Sequence, residues 1–561
     1  MKNNNLEPWV KSYPENINWA AHINKCSLGT YIEKSAINYG NRPAIDFLGS
    51  KTSYAELEML VNHAARGLQE LGVHKGVRVG LCLPNTPYFV IFYFAVLRIG
   101  ATVVNFNPLY VESEIAFQID DSQTEIMVTM DLEIIYPKIA TMLTRTKSLK
   151  TIICCPMAHI LPPIKGLLFR ALKRRDIATI KEEQTVPYKQ VMDNDGRPTK
   201  VEIDLDNDIA VLQYTGGTTG TPKGAMLSHG NLSANVSQMT LWFPGLELGA
   251  EKVLGVLPLF HIFAMTTVMN FAVSAGAEMI LLPRYELKQT LKTINKKSPT
   301  LFPAVPTIYT SINNSDDLSK YNLSAIRYCI SGGAPLPLEV KNRFEELTGC
   351  RLVEGYGLSE CSPVATCNSL QGINKEGSIG LPVPGTLLSV HDIEDPNLTV
   401  SPNERGEIWI SGPQVMSGYW QRDSETEDTL IDGWLRTGDA GYMDDEGHFF
   451  LVDRLKDLIL CSGYNVYPRN IEEAIYLHPA VSEVTVIGIS DEYRGESPKA
   501  FVKLKENEEL SEEILLEFLK DKLSKIEMPS IIEFRSELPK TLIGKLSKKE
   551  LKAEEAGNHN I

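Results

Sequence analysis

The chain has 561 residues, of which 43% are hydrophobic, 8% aromatic and 22% charged. This balance is typical of a globular protein with several domains, and it excludes collagen, low-complexity disorder and a disulfide-stabilised miniprotein. The 70 acidic and 55 basic residues give a formal charge of −15, so we expect no nucleic-acid partner. The nine cysteines form no C-x-x-C pair. We therefore expect neither disulfides nor a zinc site, and a reducing, cytoplasmic setting.

The N-terminal residues, MKNNNLEPW, are polar where a secretory signal has an apolar core, so we expect no export. The most apolar run, residues 88–97, is too short to span a bilayer about 30 Å thick as a helix. A second apolar stretch, 265–282, contains Asn270 and Glu278. We expect neither stretch to cross a membrane.

Along the N-terminal two thirds of the chain, apolar helical patterns alternate with short β-branched strands. The alternation runs from residue 28 to 210, with strands predicted at 77–83 and 124–130. It recurs from 253 to about 380, with strands predicted at 279–282 and 327–330. Such alternation predicts parallel sheets covered by helices, and we expect two of them.

The pattern changes after Gly380. Short strands and Gly/Pro turns, as in LPVPGTLLSV and GHFFLVD, predict a smaller β-rich unit. Beyond residue 463 the pattern is helix (469–477), strand (481–487), strand (499–504) and helix (511–523). The predicted fold is therefore α/β. A large N-terminal domain, 1–455, holds two helix-covered sheets and a β-rich subdomain, and a small α+β C-terminal domain covers 456–561.

The segment 164–175, IKGLLFRALKRR, combines apolar and basic residues. Two interpretations are open at this point. The segment is either a helix that lies on an anionic membrane surface or a solvated surface helix with an apolar inner face.

The most informative segment is YTGGTTGTPKGAMLSH at 214–229, directly after a predicted strand. Glycines let successive backbone N–H groups converge, hydroxyls add donors and a lysine adds charge, which are the parts of a polyphosphate cradle. Pro222 excludes a Walker A loop, because that motif has glycine before its lysine. A flexible linker would leave the lysine and the preceding strand unexplained. The predicted phosphate-binding residues are Thr215, Gly216, Gly217, Thr218, Thr219, Gly220 and Lys223.

This loop resembles the phosphate loop of the adenylate-forming superfamily, which contains acyl-CoA synthetases, luciferases and the adenylation domains of peptide synthetases. Six further segments resemble motifs of that superfamily in the expected order: SGGAPL at 331–336, EGYGLSE at 354–360, WLRTGD at 434–439, DRLKD at 453–457, GYNVYP at 463–468 and PKTLIGK at 539–545. The resemblance covers about residues 28 to 552.

The resemblance implies a two-step reaction that uses ATP, Mg²⁺ and CoA. A carboxylate attacks the α-phosphate of ATP and expels pyrophosphate, and the thiol of CoA then displaces AMP from the acyl-adenylate. Glu360 and Thr215 are the implied Mg²⁺ ligands, because a hard cation prefers oxygen. Lys545 is the implied catalytic cation of the first step.

The same resemblance assigns the nucleoside end. Tyr356 is expected to lie against adenine and Asp439 to accept the ribose hydroxyls, with Arg454 beside it. Ser359 stands where the superfamily usually has threonine, and its hydroxyl retains the expected α-phosphate contact. The remaining residues of these motifs are expected at the nucleotide: Gly332, Gly333, Ala334, Glu354, Gly355 and Gly357.

For the second step, the resemblance implies a mobile C-terminal domain that rotates about a hinge at Lys456. Gly463 is expected to line the channel for the pantetheine arm of CoA. His261 is expected beside the acyl carboxylate, where it gates the path of the thiol.

The segments NPLY at 107–110, LPLFHIF at 257–263 and GPQVMSGYW at 412–420 most resemble bacterial long-chain fatty acid CoA ligases. A fatty acid is therefore the expected substrate, with residues 260–273 as walls of its tunnel. The sequence leaves four other functions open: a medium-chain or aryl acyl-CoA ligase, an acyl-AMP ligase that loads a carrier protein, a kinase or ATPase, and an inactive nucleotide- or lipid-binding protein. The sequence also leaves a homodimer open.

Overall fold

The computed structural model describes residues 7–215, 221–462, 464–491, 493–541 and 545–558, and within these ranges the strands form four sheets. The first sheet is parallel except for its last strand, which runs antiparallel to its neighbour. In spatial order its strands are Thr185–Pro187, Thr151–Cys155, Ile126–Met130, Arg78–Leu81, Thr102–Asn105, Ile209–Thr215 and Lys223–Ser228.

The second sheet is parallel at its centre and antiparallel at both edges. In spatial order its strands are Leu381–Pro382, Val364–Cys367, Arg351–Gly357, Tyr328–Ser331, Leu301–Ala304, Lys252–Gly255, Glu278–Leu281, Pro43–Phe47 and Ser50–Ser53. Two helix-covered sheets are therefore present, but residues 43–53, from the first alternating stretch of the chain, belong to the second sheet. These two strands extend the second sheet because Pro43–Phe47 pairs in parallel with Glu278–Leu281.

The third and fourth sheets are smaller and mostly antiparallel. The third consists of Leu387–His391, Gly406–Ser411, Trp434–Met443 and Leu430–Ile431, with Phe449–Arg454 paired to Trp434–Met443. The fourth consists of Tyr464–Val466, Ile459–Cys461, Gly495–Leu504 and Val481–Asp491, with Ile531–Phe534 paired in parallel to Gly495–Leu504.

The α-helices connect and cover these sheets. They are Thr30–Tyr39, Tyr54–Glu70, Pro87–Arg98, Glu112–Ser122, Tyr136–Arg145, Pro163–Leu172, Tyr188–Met192, His229–Trp242, Ile262–Ala264, Phe271–Ala275, Leu287–Lys297, Pro306–Asn313, Leu338–Thr348, Asp423–Thr429, Pro468–Tyr476, Glu512–Leu519 and Lys548–Asn558. A π-helical turn, Met265–Asn270, joins two of them. The predicted α/β fold, with a large N-terminal part and a smaller C-terminal part, is confirmed. The boundary between residues 455 and 456 stays a prediction.

The apolar run at 88–97 belongs to helix Pro87–Arg98, in which every residue except Arg98 is buried. Its hydrophobicity therefore serves the protein core, where one continuous cluster of buried side chains joins the first two sheets. No helix in the described part of the chain is long and apolar enough to cross a membrane.

The fold brings the carboxyl ends of parallel strands to one crevice. Strand Ile209–Thr215 of the first sheet ends at the predicted phosphate loop, and strands Tyr328–Ser331 and Arg351–Gly357 of the second sheet end at the SGGAPL and EGYGLSE motifs. In open α/β sheets, ligands bind outside the carboxyl ends of the strands. The topology therefore places three of the motifs around one site.

Candidate active site

A cavity of about 790 Å³ lies at these strand ends. Of the predicted site residues, the cavity is lined by Thr215, Lys223, His261, Gly332, Gly333, Gly355, Tyr356, Gly357, Ser359, Glu360, Arg454 and Lys545. Ala334, Glu354, Asp439 and Lys456 are absent from its lining. Gly216, Gly217, Thr218, Thr219, Gly220 and Gly463 lie outside the described residues.

One end of the cavity carries the start and end of the predicted phosphate loop. Thr215 and Lys223 face each other across the antiparallel pair of strands Ile209–Thr215 and Lys223–Ser228. The ammonium of Lys223 lies 5.1 Å from the ring centroid of Tyr419, and the Tyr419 hydroxyl donates a 2.8 Å hydrogen bond to Oε1 of Glu360. A cation, a phenol and a carboxylate thus adjoin at this end.

Tyr419 is a site residue that the sequence reasoning missed. The segment that carries it follows strand Lys223–Ser228, since the backbone N–H of Met226 donates to Gly418 and that of Trp420 donates to Gly224. The sequence signal that could have found it is GYW at 418–420. We used that segment only for the resemblance to fatty acid CoA ligases and assigned no role to its tyrosine. Its position beside Lys223 depends on a contact between residues almost 200 positions apart.

Glu360 lies on the short 3-10 turn Ser359–Cys361, just after strand Arg351–Gly357. Its backbone carbonyl accepts a 2.8 Å hydrogen bond from the N–H of Met416, which holds the turn against the neighbouring segment. Among the described residues, its carboxylate accepts one side-chain hydrogen bond, from Tyr419. Glu360 and Thr215 both offer oxygen donors to the cavity, and this donor set fits Mg²⁺.

A second cluster joins Tyr356, Asp439 and Arg454. Asp439 and Arg454 are register partners on two antiparallel strands, and Nε of Arg454 lies 2.8 Å from Oδ1 of Asp439. The Tyr356 hydroxyl donates a 2.6 Å hydrogen bond to Oδ2 of the same carboxylate. Burial raises the pKa of Asp439, and the Arg454 guanidinium opposes that shift. Protein groups therefore engage both carboxylate oxygens that the sequence assigned to ribose.

Glu354 lies two residues before Tyr356, deeper along strand Arg351–Gly357. It is 7% exposed, and burial raises its pKa to about 7, with Arg469 opposing the shift. Because its carboxylate is absent from the cavity lining, Glu354 supports the wall of the site from behind. Ala334 likewise follows the lining residues Gly332 and Gly333 without joining them.

Lys545 enters the cavity from the C-terminal part of the chain, and its side chain passes directly over Gly333. A Cβ atom at Gly333 would lie 2.7 Å from Cε of Lys545 and 3.2 Å from Nζ. Gly333 also has φ +82°, a conformation that favours glycine. The backbone beside the lysine is held by the hydrogen bonds from Thr541 N to Lys545 O (2.6 Å) and from Lys545 N to Thr541 Oγ1 (3.1 Å).

Residues 32–420 match the family described as "AMP-binding enzyme", and residues 470–545 match its C-terminal domain. The chain belongs to the AMP-binding enzyme family. It is 43% identical over 559 residues to the long-chain-fatty-acid–CoA ligase of Bacillus subtilis (strain 168), and the alignment covers 99% of each chain. It is 37% identical to the protein of the same name from Yersinia pestis, with 98% of each chain covered.

Among solved structures, the ATP-bound MatB of Rhodopseudomonas palustris superposes with a TM-score of 0.83. That superposition covers 95% of this chain and 99% of the other, at 27% identity. The resemblance to the adenylate-forming superfamily is thus confirmed.

Both parts of this AMP-binding enzyme contribute charge to the cavity. Burial lowers the pKa of Lys545 to about 8, and the nearby Arg454 acts in the same direction. Burial also lowers the pKa of His261 to about 3, again with help from a cation, Lys545. His261 Nδ1 accepts a 3.3 Å hydrogen bond from the N–H of Phe263. His261 is therefore neutral near pH 7, with its ring proton on Nε2.

The two lysines assigned to the two half-reactions lie in different surroundings. Lys545 is in the cavity lining, whereas Lys456 is exposed on the 3-10 turn Leu455–Asp457. The same turn is anchored by a 2.7 Å ion pair between Asp457 and Lys552. Of the predicted tunnel segment 260–273, the cavity lining includes Phe260, His261, Ile262, Phe263 and Thr267, while the described side chains after Thr267 are packed in the core.

Proposed function

We propose that this AMP-binding enzyme is a long-chain fatty acid CoA ligase that forms an acyl-adenylate and then an acyl-CoA. The observation that carries the proposal is the meeting of Lys545 from the C-terminal part with Lys223, Thr215 and Glu360 in one cavity that is also lined by apolar side chains. The relatives named long-chain-fatty-acid–CoA ligases support the choice of substrate and acceptor.

In the first step, a carboxylate oxygen of the fatty acid bonds to the α-phosphorus of ATP, and the bond from that phosphorus to the bridging oxygen breaks. Pyrophosphate leaves with the electron pair. The Lys545 ammonium stabilises the negative charge that develops around the α-phosphate, and Lys223 neutralises the outgoing phosphates. Glu360 and Thr215 would hold Mg²⁺, which neutralises phosphate charge when it is bound.

His261 contributes by being uncharged. A protonated imidazole beside Lys545 would repel the ammonium, whereas the neutral ring presents one N–H donor next to the position of the reacting carboxylate. The low pKa of His261, about 3, keeps this state across the physiological range. His261 therefore orients the acyl group and does not act as a base.

We assign the nucleoside of ATP to the part of the site that contains Tyr356, Asp439 and Arg454. The adenine ring lies between the ring of Tyr356 and the backbone of Gly332 and Gly333, where the glycines permit close approach. The ribose hydroxyls donate hydrogen bonds to the Asp439 carboxylate. They then replace part of the contact that its oxygens make with Tyr356 or Arg454. The ion pair with Arg454 keeps the carboxylate charged for this purpose.

In the second step, the sulfur of CoA bonds to the acyl carbonyl carbon, the bond from that carbon to the phosphate oxygen of AMP breaks, and the thiol proton passes to solvent. Lys545 stands beside the same carbon, so the thiol requires another direction of approach. A domain boundary between residues 455 and 456, with rotation about Lys456, would open that second direction of approach.

We also propose that helix Pro163–Leu172 rests on anionic membranes, from which a fatty acid is drawn. Its apolar side chains Ile164, Leu167 and Leu172 are 76%, 70% and 77% exposed. Basic residues 173–175 follow directly. Exposed apolar side chains beside basic ones favour the surface of an anionic bilayer.

The charge reversal Lys173→Glu, Arg174→Glu, Arg175→Glu should reduce co-sedimentation with vesicles that contain phosphatidylglycerol. The ligase rate with octanoate in solution should be unchanged. The matched control reverses Lys520, Lys522 and Lys525. Equal sedimentation of both variants would contradict the membrane contact.

The ligase proposal is tested by pyrophosphate release with ATP and Mg²⁺ across acetate, octanoate, palmitate, oleate and cinnamate, each with and without CoA. Palmitate or oleate should dominate, CoA should be consumed and AMP should form. The Lys545→Ala variant should fail, whereas the exposed control Lys525→Ala should match the wild type. Pyrophosphate without thioester would indicate another acceptor, dominance of cinnamate an aryl ligase, and ADP a phosphoryl transferase.

A further inference from the structure

One helix forms a wall of the cavity and leads away from its phosphate end. Helix His229–Trp242 begins right after strand Lys223–Ser228, and a capping box between Ser228 and Asn231 fixes its start. Its C-terminal turn presents Met239, Trp242 and Phe243 to the cavity. At about 1.5 Å per residue, this turn lies about 20 Å from the start of the helix.

The adjoining part of the cavity wall runs in the same direction. Val364 and Cys367, on strand Val364–Cys367, line the cavity. Asn235 on the helix accepts a 3.0 Å hydrogen bond from the N–H of Val364, and Nε1 of Trp242 donates a 3.2 Å hydrogen bond to the carbonyl of Asn368. At about 3.3 Å per residue, the helix and this segment run side by side for about 13 Å.

Glu360 precedes this wall, so Trp242 stands at the end that is remote from the metal-binding oxygens. Five other apolar side chains line the cavity: Met239, Phe243, Ile330, Cys367 and Val383. An alkyl chain whose carboxyl group lies beside Lys545 and His261 would extend in this direction. Trp242 closes the path in front of it.

The indole of Trp242 is held from behind by the N-terminal segment. The ring of Tyr13 packs edge-on against it, with centroids 5.3 Å apart and planes at 79°. The Tyr13 hydroxyl donates to the carbonyl of Pro382, and farther along the N-terminal segment, the N–H of Cys26 donates to Oγ of Ser233, a buried residue of the helix. Trp242 is therefore fixed by Asn368 at its nitrogen and by Tyr13 at its ring.

We infer that Trp242 is the residue that limits the length of the acyl chain, and that Tyr13 is a positioning residue that keeps the indole across the end of the cavity. This inference rests on the proposed function. Because an alkyl tail carries no polar group, selection by length depends on space. Each further methylene that can be buried raises kcat/KM by about fourfold, and the gain ends where the chain meets the indole.

The test measures kcat/KM for acyl-CoA formation by the full-length enzyme with saturated acids from octanoate to eicosanoate. Trp242→Ala should move the optimum to longer acids and raise the ratio of the longest to the intermediate acids at least about tenfold, because two further methylenes are worth about fourfold each. Trp242→Phe keeps a buried ring and should give a smaller shift in the same direction, so that the test survives if the alanine variant does not fold.

Tyr13→Leu is the decisive variant, because the cavity lining stays chemically unchanged. It should shift the length profile in the same direction as Trp242→Ala, whereas Tyr13→Phe, which retains the ring, should keep the wild-type profile. Trp409→Phe, at a buried tryptophan absent from the cavity lining, is the matched control and should leave the profile unchanged.

A uniform loss at every chain length, or a ratio that neither Trp242→Ala nor Tyr13→Leu moves, would overturn the inference and leave the ligase assignment intact. A wild-type enzyme that forms no acyl-CoA from any of these acids would overturn the proposed function, and the inference with it.

Discussion

Replacing Lys545 by arginine should remove the alkaline decline of the adenylation rate. Lys545 lies half-buried over Gly333, and desolvation together with the nearby Arg454 lowers its pKa to about 8. Only the ammonium form can stabilise charge on the α-phosphate. The rate of acyl-adenylate formation should therefore fall as the pH rises through about 8.

The size of this decline follows from the pKa. With a pKa of about 8, the ammonium fraction is about nine tenths at pH 7 and about one tenth at pH 9, a change of about tenfold. Arginine stays charged throughout this range. Lys545→Arg should have a lower rate because the larger guanidinium fits poorly over Gly333, yet its pH profile should be flat. Lys545→Ala should lose about 10²- to 10³-fold in rate at pH 7.

The assay is pyrophosphate release without CoA, recorded as kcat/KM for ATP from pH 6 to pH 10, since this parameter reports the free enzyme. His261, with a pKa of about 3, titrates far below this range. Glu354, with a pKa of about 7, affects only the acidic side, so Glu354→Gln should keep the alkaline limb. An alkaline limb that persists in Lys545→Arg would show that Lys545 is not the group whose deprotonation slows adenylation.

Four further outcomes test other parts of the site. Gly333→Ala should slow pyrophosphate release about tenfold or more, because the new Cβ would meet Lys545 and φ is positive; a wild-type rate would contradict this contact. Tyr356→Phe removes the hydrogen bond to the buried carboxylate of Asp439 and should raise KM for ATP by about tenfold or more with little change in kcat. A loss confined to kcat would contradict the assignment of Tyr356 to nucleotide binding. Glu360→Gln should raise the Mg²⁺ concentration needed for the half-maximal rate, and an unaltered magnesium titration would remove its assignment as a ligand. Lys456→Pro restricts backbone rotation and should slow CoA consumption while sparing CoA-independent pyrophosphate release, whereas equal slowing of both would argue against a hinge there.

The sequence was most informative where chemistry and local structure coincide. The strands at 77–83, 124–130, 279–282 and 327–330 are present with ends shifted by at most two residues, because buried parallel strands are read from continuous β-branched runs. In the C-terminal part, the predicted helix 511–523 ends already at Leu519, and strand Ile531–Phe534 was not predicted.

The sequence was least informative where function depends on distant pairing. Nothing local indicates that strand Pro43–Phe47 joins Glu278–Leu281, or that Tyr419 bonds Glu360. Some residues were also assigned to the nucleotide site only because they share a motif with a residue that lines the cavity. Glu354 shares a motif with Tyr356, but two residues along a strand amount to about 7 Å, which is enough to place its carboxylate behind the cavity wall.

The central claim, that a carboxylate is activated through an acyl-adenylate, is tested most directly with palmitate labelled with ¹⁸O in its carboxyl group. In the proposed reaction one carboxylate oxygen bonds to the α-phosphorus and stays with AMP when the thiol of CoA attacks the carbonyl carbon. Each AMP formed should therefore carry one ¹⁸O atom, which mass spectrometry detects. Unlabelled AMP, or ADP as the product, would contradict it.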